Sequence, residues 1–294
     1  MPSPELDLVV QMLRSQPPVV GGDVAERRAG LERMTAAPLP ADVSSEPVSA
    51  DGVPAEWVVA EGADPGRALL YLHGGGYVIG SIATHRDLAA RLSRATGARV
   101  LVVDYRLAPE HPHPAAVDDA VRAFRWLVEQ GLDPRRVAIA GDSAGGGLTV
   151  ATLVALRDAG DALPAAGVCL SPWTDLACEG GSMDTHDHRD PMVRPEGLRE
   201  MAAMYLGGLP ASTPLASPVH AELAGLPPLL VQVGTAEVLL DDSTRLADRA
   251  RAAGVEVELD VWDDMVHVFQ AFAAILPEGR EAIERIGAFV RERT

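Results

Sequence analysis

From about residue 45 onward, short apolar and β-branched runs alternate with stretches whose apolar positions recur every three and four residues. The runs EPVSA, EWVVA, ALLYL, RVLVVD, RVAIA, AGVCLS, LLVQVG and VEVELDVW make eight strand candidates. Between the later ones, segments such as AAVDDAVRAFRWLVEQ and STRLADRARAAG carry the helical period. Strands alternating with helices predict an α/β architecture, a mostly parallel sheet with helices on both faces. Residues 1–44 and a stretch of about 175–219 break the alternation. Both are expected to form a cap over one end of the sheet, decorating a catalytic domain of residues 45–294. Within the first, MPSPELDLVVQMLRSQPP reads as a short amphipathic helix.

Composition narrows the function. With 294 residues, 47% of them hydrophobic, the chain can bury a large core in a single domain. A formal charge of −17, from 42 acidic against 25 basic residues, makes nucleic acid and anionic membranes poor partners. Glu5 and Asp7 stand where a signal peptide carries positive charge, so no secretion by that route is expected. No apolar stretch approaches the ~18 residues that a spanning helix needs. Cys169 and Cys178 give no disulfide framework, and a cytoplasmic setting is the expectation.

The chemistry is concentrated at strand ends. In GDSAG, Gly141 and Gly145 flank Ser143 just after one strand and just before the helix AGGGLTVATLVALRDAG. A nucleophile elbow requires small residues there, because a Cβ would collide with the neighbouring backbone. Ser143 is the expected nucleophile, and the Ala144 N–H points to where negative charge develops. After the third strand, HGGGYVIGS lets consecutive glycines turn their N–H groups toward a carbonyl oxygen, so Gly75 and Gly76 join Ala144 as oxyanion donors. His73, leading that motif, reads as an anchor for the loop. A serine hydroxyl needs an imidazole to take its proton, and the imidazole needs a carboxylate. His267 is the only histidine beyond His220 and follows the eighth strand. Glu237 stands nearest the end of the seventh strand; Asp241 remains an alternative acid with a ready role at a helix start.

These residues, with DYRLAPEHPHPAAVDD and DDMVHVF in order, resemble the bacterial hormone-sensitive-lipase-like branch of the α/β-hydrolases. The resemblance implies an α/β-hydrolase fold and a cofactor-free carboxylesterase acting on small, short-acyl esters. Similarity to monoterpene ε-lactone hydrolases adds lactones as substrates. It also implies that Asp104, Tyr105, Arg106 and Glu110 brace the loop beneath the oxyanion donors. The family's acid is commonly aspartate, and here that position holds Glu237. An amidase or acyltransferase with the same triad remains open, as does a ligand-binding protein on the same scaffold.

Other residues carry blander expectations. Tyr77, Met204, Tyr205 and Val238 are candidate substrate-binding residues, and Met183, Met192 and Met201 either line a pocket or fill a cap core. HDH at residues 186–188 lacks a third ligand at a set spacing, so no metal is expected. Cys169 reads as core packing, and Asp142 as a partner for nearby backbone. The eighth strand, at a sheet edge, makes a homodimer an expectation.

Overall fold

The computed structural model describes residues 3–15, 21–35 and 38–294. Its sheet contains β1 (Val43–Ala50), β2 (Val53–Ala60), β3 (Asp64–Leu72), β4 (Ala98–Val103), β5 (Val137–Asp142), β6 (Ala166–Leu170), β7 (Leu229–Gly234) and β8 (Val257–Trp262). The spatial order is β1-β2-β4-β3-β5-β6-β7-β8. β2 pairs antiparallel with β1 and with β4, and every other pairing is parallel. The helices among the described residues are α1 (Pro4–Arg14), α2 (Val24–Thr35), α3 (Ile82–Thr96), α4 (Ala115–Glu129), α5 (Ala144–Ala159), α6 (Ser182–Thr185), α7 (Pro195–Leu206), α8 (Leu240–Ala252) and α9 (Pro277–Arg293).

Strand alternation divides the apolar residues between two cores. Leu70 and Leu72 of β3, with Val137 and Ile139 of β5, face a core that also takes Phe124 of α4, Leu148 of α5 and Leu246 of α8. Leu69, Tyr71, Ala138 and Ala140 face the opposite core, with Leu92 of α3 and Ile286 and Phe289 of α9. Central strands buried on both faces account for the unbroken apolar runs in the sequence. Local chemistry sets the helix ends: Ser81 and Thr84 form a capping box at the start of α3, and Gly97, at φ +65°, closes it.

Because the central strands are parallel, the carboxyl ends of β3, β5, β7 and β8 emerge on the same side, where such sheets bind ligands. The expected cap segments approach that side. Leu6 and Val9 of α1 pack with Met265, Val266 and Phe269, and Ser3 bonds Glu278 through both N and Oγ. α2 has no fully buried residue; Val24 and Leu31 pack half-buried against the core, and polar contacts such as Arg27 to Glu200 of α7 at 3.0 Å join it to its neighbours. The stretch 175–219 carries α6 and α7.

Candidate active site

Ser143 is the single residue between β5 and α5, at φ +52° and ψ −120°. A non-glycine residue held there stores on the order of 1–3 kcal/mol of strain, which the surrounding structure must impose. The imposition is steric. A Cβ on Gly145 would lie 1.9 Å from the Leu72 carbonyl oxygen, and one on Gly141 would lie 2.2 Å from that of Gly145. The elbow therefore presses directly against β3. Ser143 is 8% exposed, and Ala144 begins α5.

β3 runs into the glycine loop of residues 73–81. Gly75 takes φ +112°, and its carbonyl accepts the N–H groups of Val78 and Ile79 at 3.1 and 2.9 Å. A Cβ on Gly75 would stand 2.2 Å from the Ile79 oxygen, so only glycine fits this turn. Among the described residues, the N–H groups of Gly75, Gly76 and Ala144 donate to no protein acceptor. Three free donors at one end of the sheet suit an oxygen that gains negative charge.

Asp142 and Tyr105 hold this loop from below. Asp142 Oδ1 accepts the Tyr71 hydroxyl at 2.6 Å and the Gly74 N–H at 3.0 Å, tying loop to elbow. Burial works against its charge, but His85 and Tyr71 outweigh it and keep the carboxyl below the usual range. The Tyr105 hydroxyl donates to the His73 carbonyl at 2.7 Å. His73 stacks on Tyr105, and burial together with His85 pushes its imidazole down to about 4, so it is neutral at pH 7. Arg106 pairs with Asp119 of α4, and Glu110 pairs with Arg28 of α2, which itself reaches the loop at the Val78 carbonyl.

The turns after β7 and β8 bring Glu237 and His267 together. His267 Nδ1 lies 2.8 Å from Glu237 Oε2, and both side chains are buried. Burial opposes an imidazolium here, yet the carboxylate prevails and raises His267 above its ordinary value. Glu237 Oε1 in turn accepts the Gly234 N–H at 2.6 Å and the Ser171 hydroxyl at 2.7 Å. With both oxygens occupied, the carboxylate has one orientation. Asp241 is engaged otherwise, its Oδ2 accepting the Ser182 N–H at 2.9 Å.

Ser171 and Asp190 were not visible as site residues in the sequence. Ser171 follows β6 at φ +46° and also accepts the Val268 N–H at 3.1 Å, so one hydroxyl joins the acid turn to the histidine turn. Asp190 is 1% exposed; it accepts Met192 and Val193 N–H groups on Oδ1 and that of Val238 on Oδ2. Its one sequence signal is the Asp-Pro pair that marks a turn.

Around the glycine loop, the Tyr77 and Tyr205 rings stack at 3.8 Å, and Trp173 tilts against Tyr77. Met201 packs on the loop so closely that a Cβ on Gly76 would lie 2.0 Å from its Sδ. Met204 is half-buried, Met192 is exposed, and Met183 is buried. Val238 is buried beside Glu237, its carbonyl taking the Ser182 hydroxyl at 2.6 Å. Cys169 lies in the core. His186 contacts Thr185 Oγ1, His188 is exposed, and no group of three or more potential metal ligands occurs among the described residues. No helix among them is long and apolar enough to cross a membrane.

An eight-stranded sheet with helices on both faces, a strained serine between strand and helix, and a late histidine–carboxylate pair define an α/β-hydrolase. A family profile described as alpha/beta hydrolase fold matches residues 69–271. The chain belongs to that family, within its bacterial hormone-sensitive-lipase-like branch of carboxylic ester hydrolases. It is 50% identical over 299 residues to an acetyl-hydrolase of Streptomyces hygroscopicus, covering 100% of this chain and 98% of that protein. The solved structure of an esterase from the bacterial hormone-sensitive lipase family is 54% identical, with a TM-score of 0.96 and coverage of 100% and 99%. The esterase EstE5 soaked with p-nitrophenyl butyrate is 50% identical, with a TM-score of 0.96 over 99% of each chain.

Proposed function

We propose that the protein hydrolyses small, short-acyl carboxylic esters through an acyl-serine intermediate. Ser143 attacks the ester carbonyl while His267 Nε2 takes its proton; Glu237, on Nδ1, fixes the tautomer and balances the imidazolium. The carbonyl oxygen becomes an oxyanion and accepts the N–H groups of Gly75, Gly76 and Ala144. On collapse, His267 protonates the departing alcohol and leaves an acylated Ser143. Water then loses a proton to His267, attacks the acyl carbon, and the carboxylic acid departs as Ser143 regains its proton. A lactone treated in this way yields one hydroxy acid. Residues 1–44 and 175–219 act as a cap that restricts what reaches the serine.

The buried 2.8 Å contact between Glu237 and His267 is the observation that carries this reading, because it is the arrangement that activates a hydroxyl. The acetyl-hydrolase and the ester-soaked esterase among the relatives support a short acyl chain. The test compares p-nitrophenyl ester hydrolysis by the wild-type protein with Ser143→Ala. The variant is expected to lose roughly 10⁴-fold or more in kcat. Rates should fall as the acyl chain is lengthened from acetyl or butyryl to dodecanoyl. Turnover that survives in Ser143→Ala refutes the nucleophile, and faster hydrolysis of the long esters refutes the substrate class.

A further inference from the structure

The glycine loop is secured at its base by its own domain, through Tyr105 to the His73 carbonyl and Asp142 to the Gly74 N–H. Its tip is held differently. Val78, two residues beyond Gly76, directs its carbonyl at Arg28 of α2, which donates Nε–H at 2.8 Å. The same guanidinium donates through Nη2 to the Ala108 carbonyl at 2.9 Å and clasps Glu110 through Nη1 and Nη2 at 2.9 and 2.8 Å. Ala108 in turn donates its N–H to the Tyr77 carbonyl at 2.9 Å. One rigid planar group thus spans two loops, and it fixes the carbonyl of the residue whose N–H closes the turn on Gly75.

Around this contact, α2 contributes no buried residue, and its next residue but three, Glu32, accepts the Ser81 hydroxyl at the far end of the same loop. Arg28 bonds neither Ser143, Glu237 nor His267. We propose that Arg28 is a positioning residue that holds the glycine loop, and with it the Gly75 and Gly76 N–H groups, in register with Ala144. This inference rests on the oxyanion role proposed above for those glycines. Displacing a catalytic group by about 1 Å can cost roughly 100-fold in rate, so a clamp two residues away from a donor is well placed to matter.

The experiment measures Arg28→Ala, Arg28→Lys and Glu110→Gln with p-nitrophenyl butyrate and with a trifluoromethyl ketone, which adds to a serine and presents an oxyanion. Arg28→Ala is expected to lose about 10- to 100-fold in kcat with KM within about twofold. The inhibition constant of the ketone should weaken by the same factor while the folded fraction, by circular dichroism, is unchanged. Arg28→Lys should recover part of the loss, since an ammonium reaches Val78 or Ala108 without clasping Glu110 as a fork. Unchanged kcat, a kcat loss without loss of ketone affinity, or a rise in KM alone overturns the proposal. If Arg28→Ala does not fold, Glu110→Gln decides: a severalfold fall in kcat and in ketone affinity together supports the clamp, and wild-type values for both overturn it. A wild-type protein that hydrolyses the ester but does not bind the ketone sinks the oxyanion reading instead, whereas binding that Arg28→Ala leaves intact sinks only the role of Arg28.

Discussion

The Ser171 hydroxyl donates to Glu237 and accepts from Val268, so it sets both the carboxylate and the turn that carries the imidazole. Ser171→Ala is expected to lower kcat by roughly 10- to 100-fold, the usual cost of removing a group that orients a site residue, with KM little changed. A kcat equal to wild type would show that Gly234 alone orients the acid. Glu237→Gln keeps the shape and removes the charge that raises His267. Turnover by His267 requires its neutral form, so wild-type kcat/KM should rise with pH through a value above that of ordinary histidine. In Glu237→Gln that acid limb should move to lower pH as kcat falls by about 10³- to 10⁴-fold, which a pH–rate profile reads directly. The turn around Ser143 and the glycine loop were legible from local spacing, and His267 from its place after the eighth strand. Ser171, Asp190 and Arg28 were not, because each acts on a residue that only the closed sheet brings near.

At the scale of elements, the decisive contact is between the start of α5 and the end of β3. Gly145→Ala places a methyl 1.9 Å from the Leu72 carbonyl, a clash with backbone that no rotamer relieves. Such a variant should lose about 3 kcal/mol or more of stability, read as a fall in the urea midpoint, along with activity. Gly131→Ala offers a control for steric crowding, since nothing lies within 4 Å of its Cβ, although its φ of +90° carries backbone strain of its own. All eight strands coincide with runs marked in the sequence: the central β5, β6 and β7, covered on both faces, are written as nearly continuous apolar residues, whereas the edge strands β1 and β8 show in their β-branched residues. The helix α2 was less legible. Its apolar residues form no buried stripe; half-buried Val24 and Leu31 pack against the core, and ion pairs whose partners are distant in the chain add to them.

For the molecule as a whole, the pH that favours the fold is not the pH that favours turnover. Burial pushes the Asp242 carboxyl up to about 7, so it keeps its proton in the folded state where the unfolded chain has lost it. Its contribution to stability is whole below the ordinary carboxylate value and is lost as pH rises to about 7. His267, also raised, adds a contribution that is whole below the ordinary histidine value and is lost as pH rises through its raised value in the fold. His73 acts in the opposite sense: pushed down to about 4, it contributes fully above the ordinary histidine value and is lost as pH falls toward 4. Asp242→Asn retains an oxygen for the Thr174 and Asp175 N–H groups without an ionising group. Its thermal midpoint should therefore fall less between pH 5 and pH 8 than that of the wild type; equal falls would show that Asp242 does not titrate there. The residues that meet at the site all leave the carboxyl ends of one sheet, whereas α1, α2 and the stretch around α7 touch those ends from outside. Selection can therefore redraft the outer segments, in length as well as in sequence, while the reacting groups stay inherited intact, and kindred chains can diverge in diet without reinventing their chemistry.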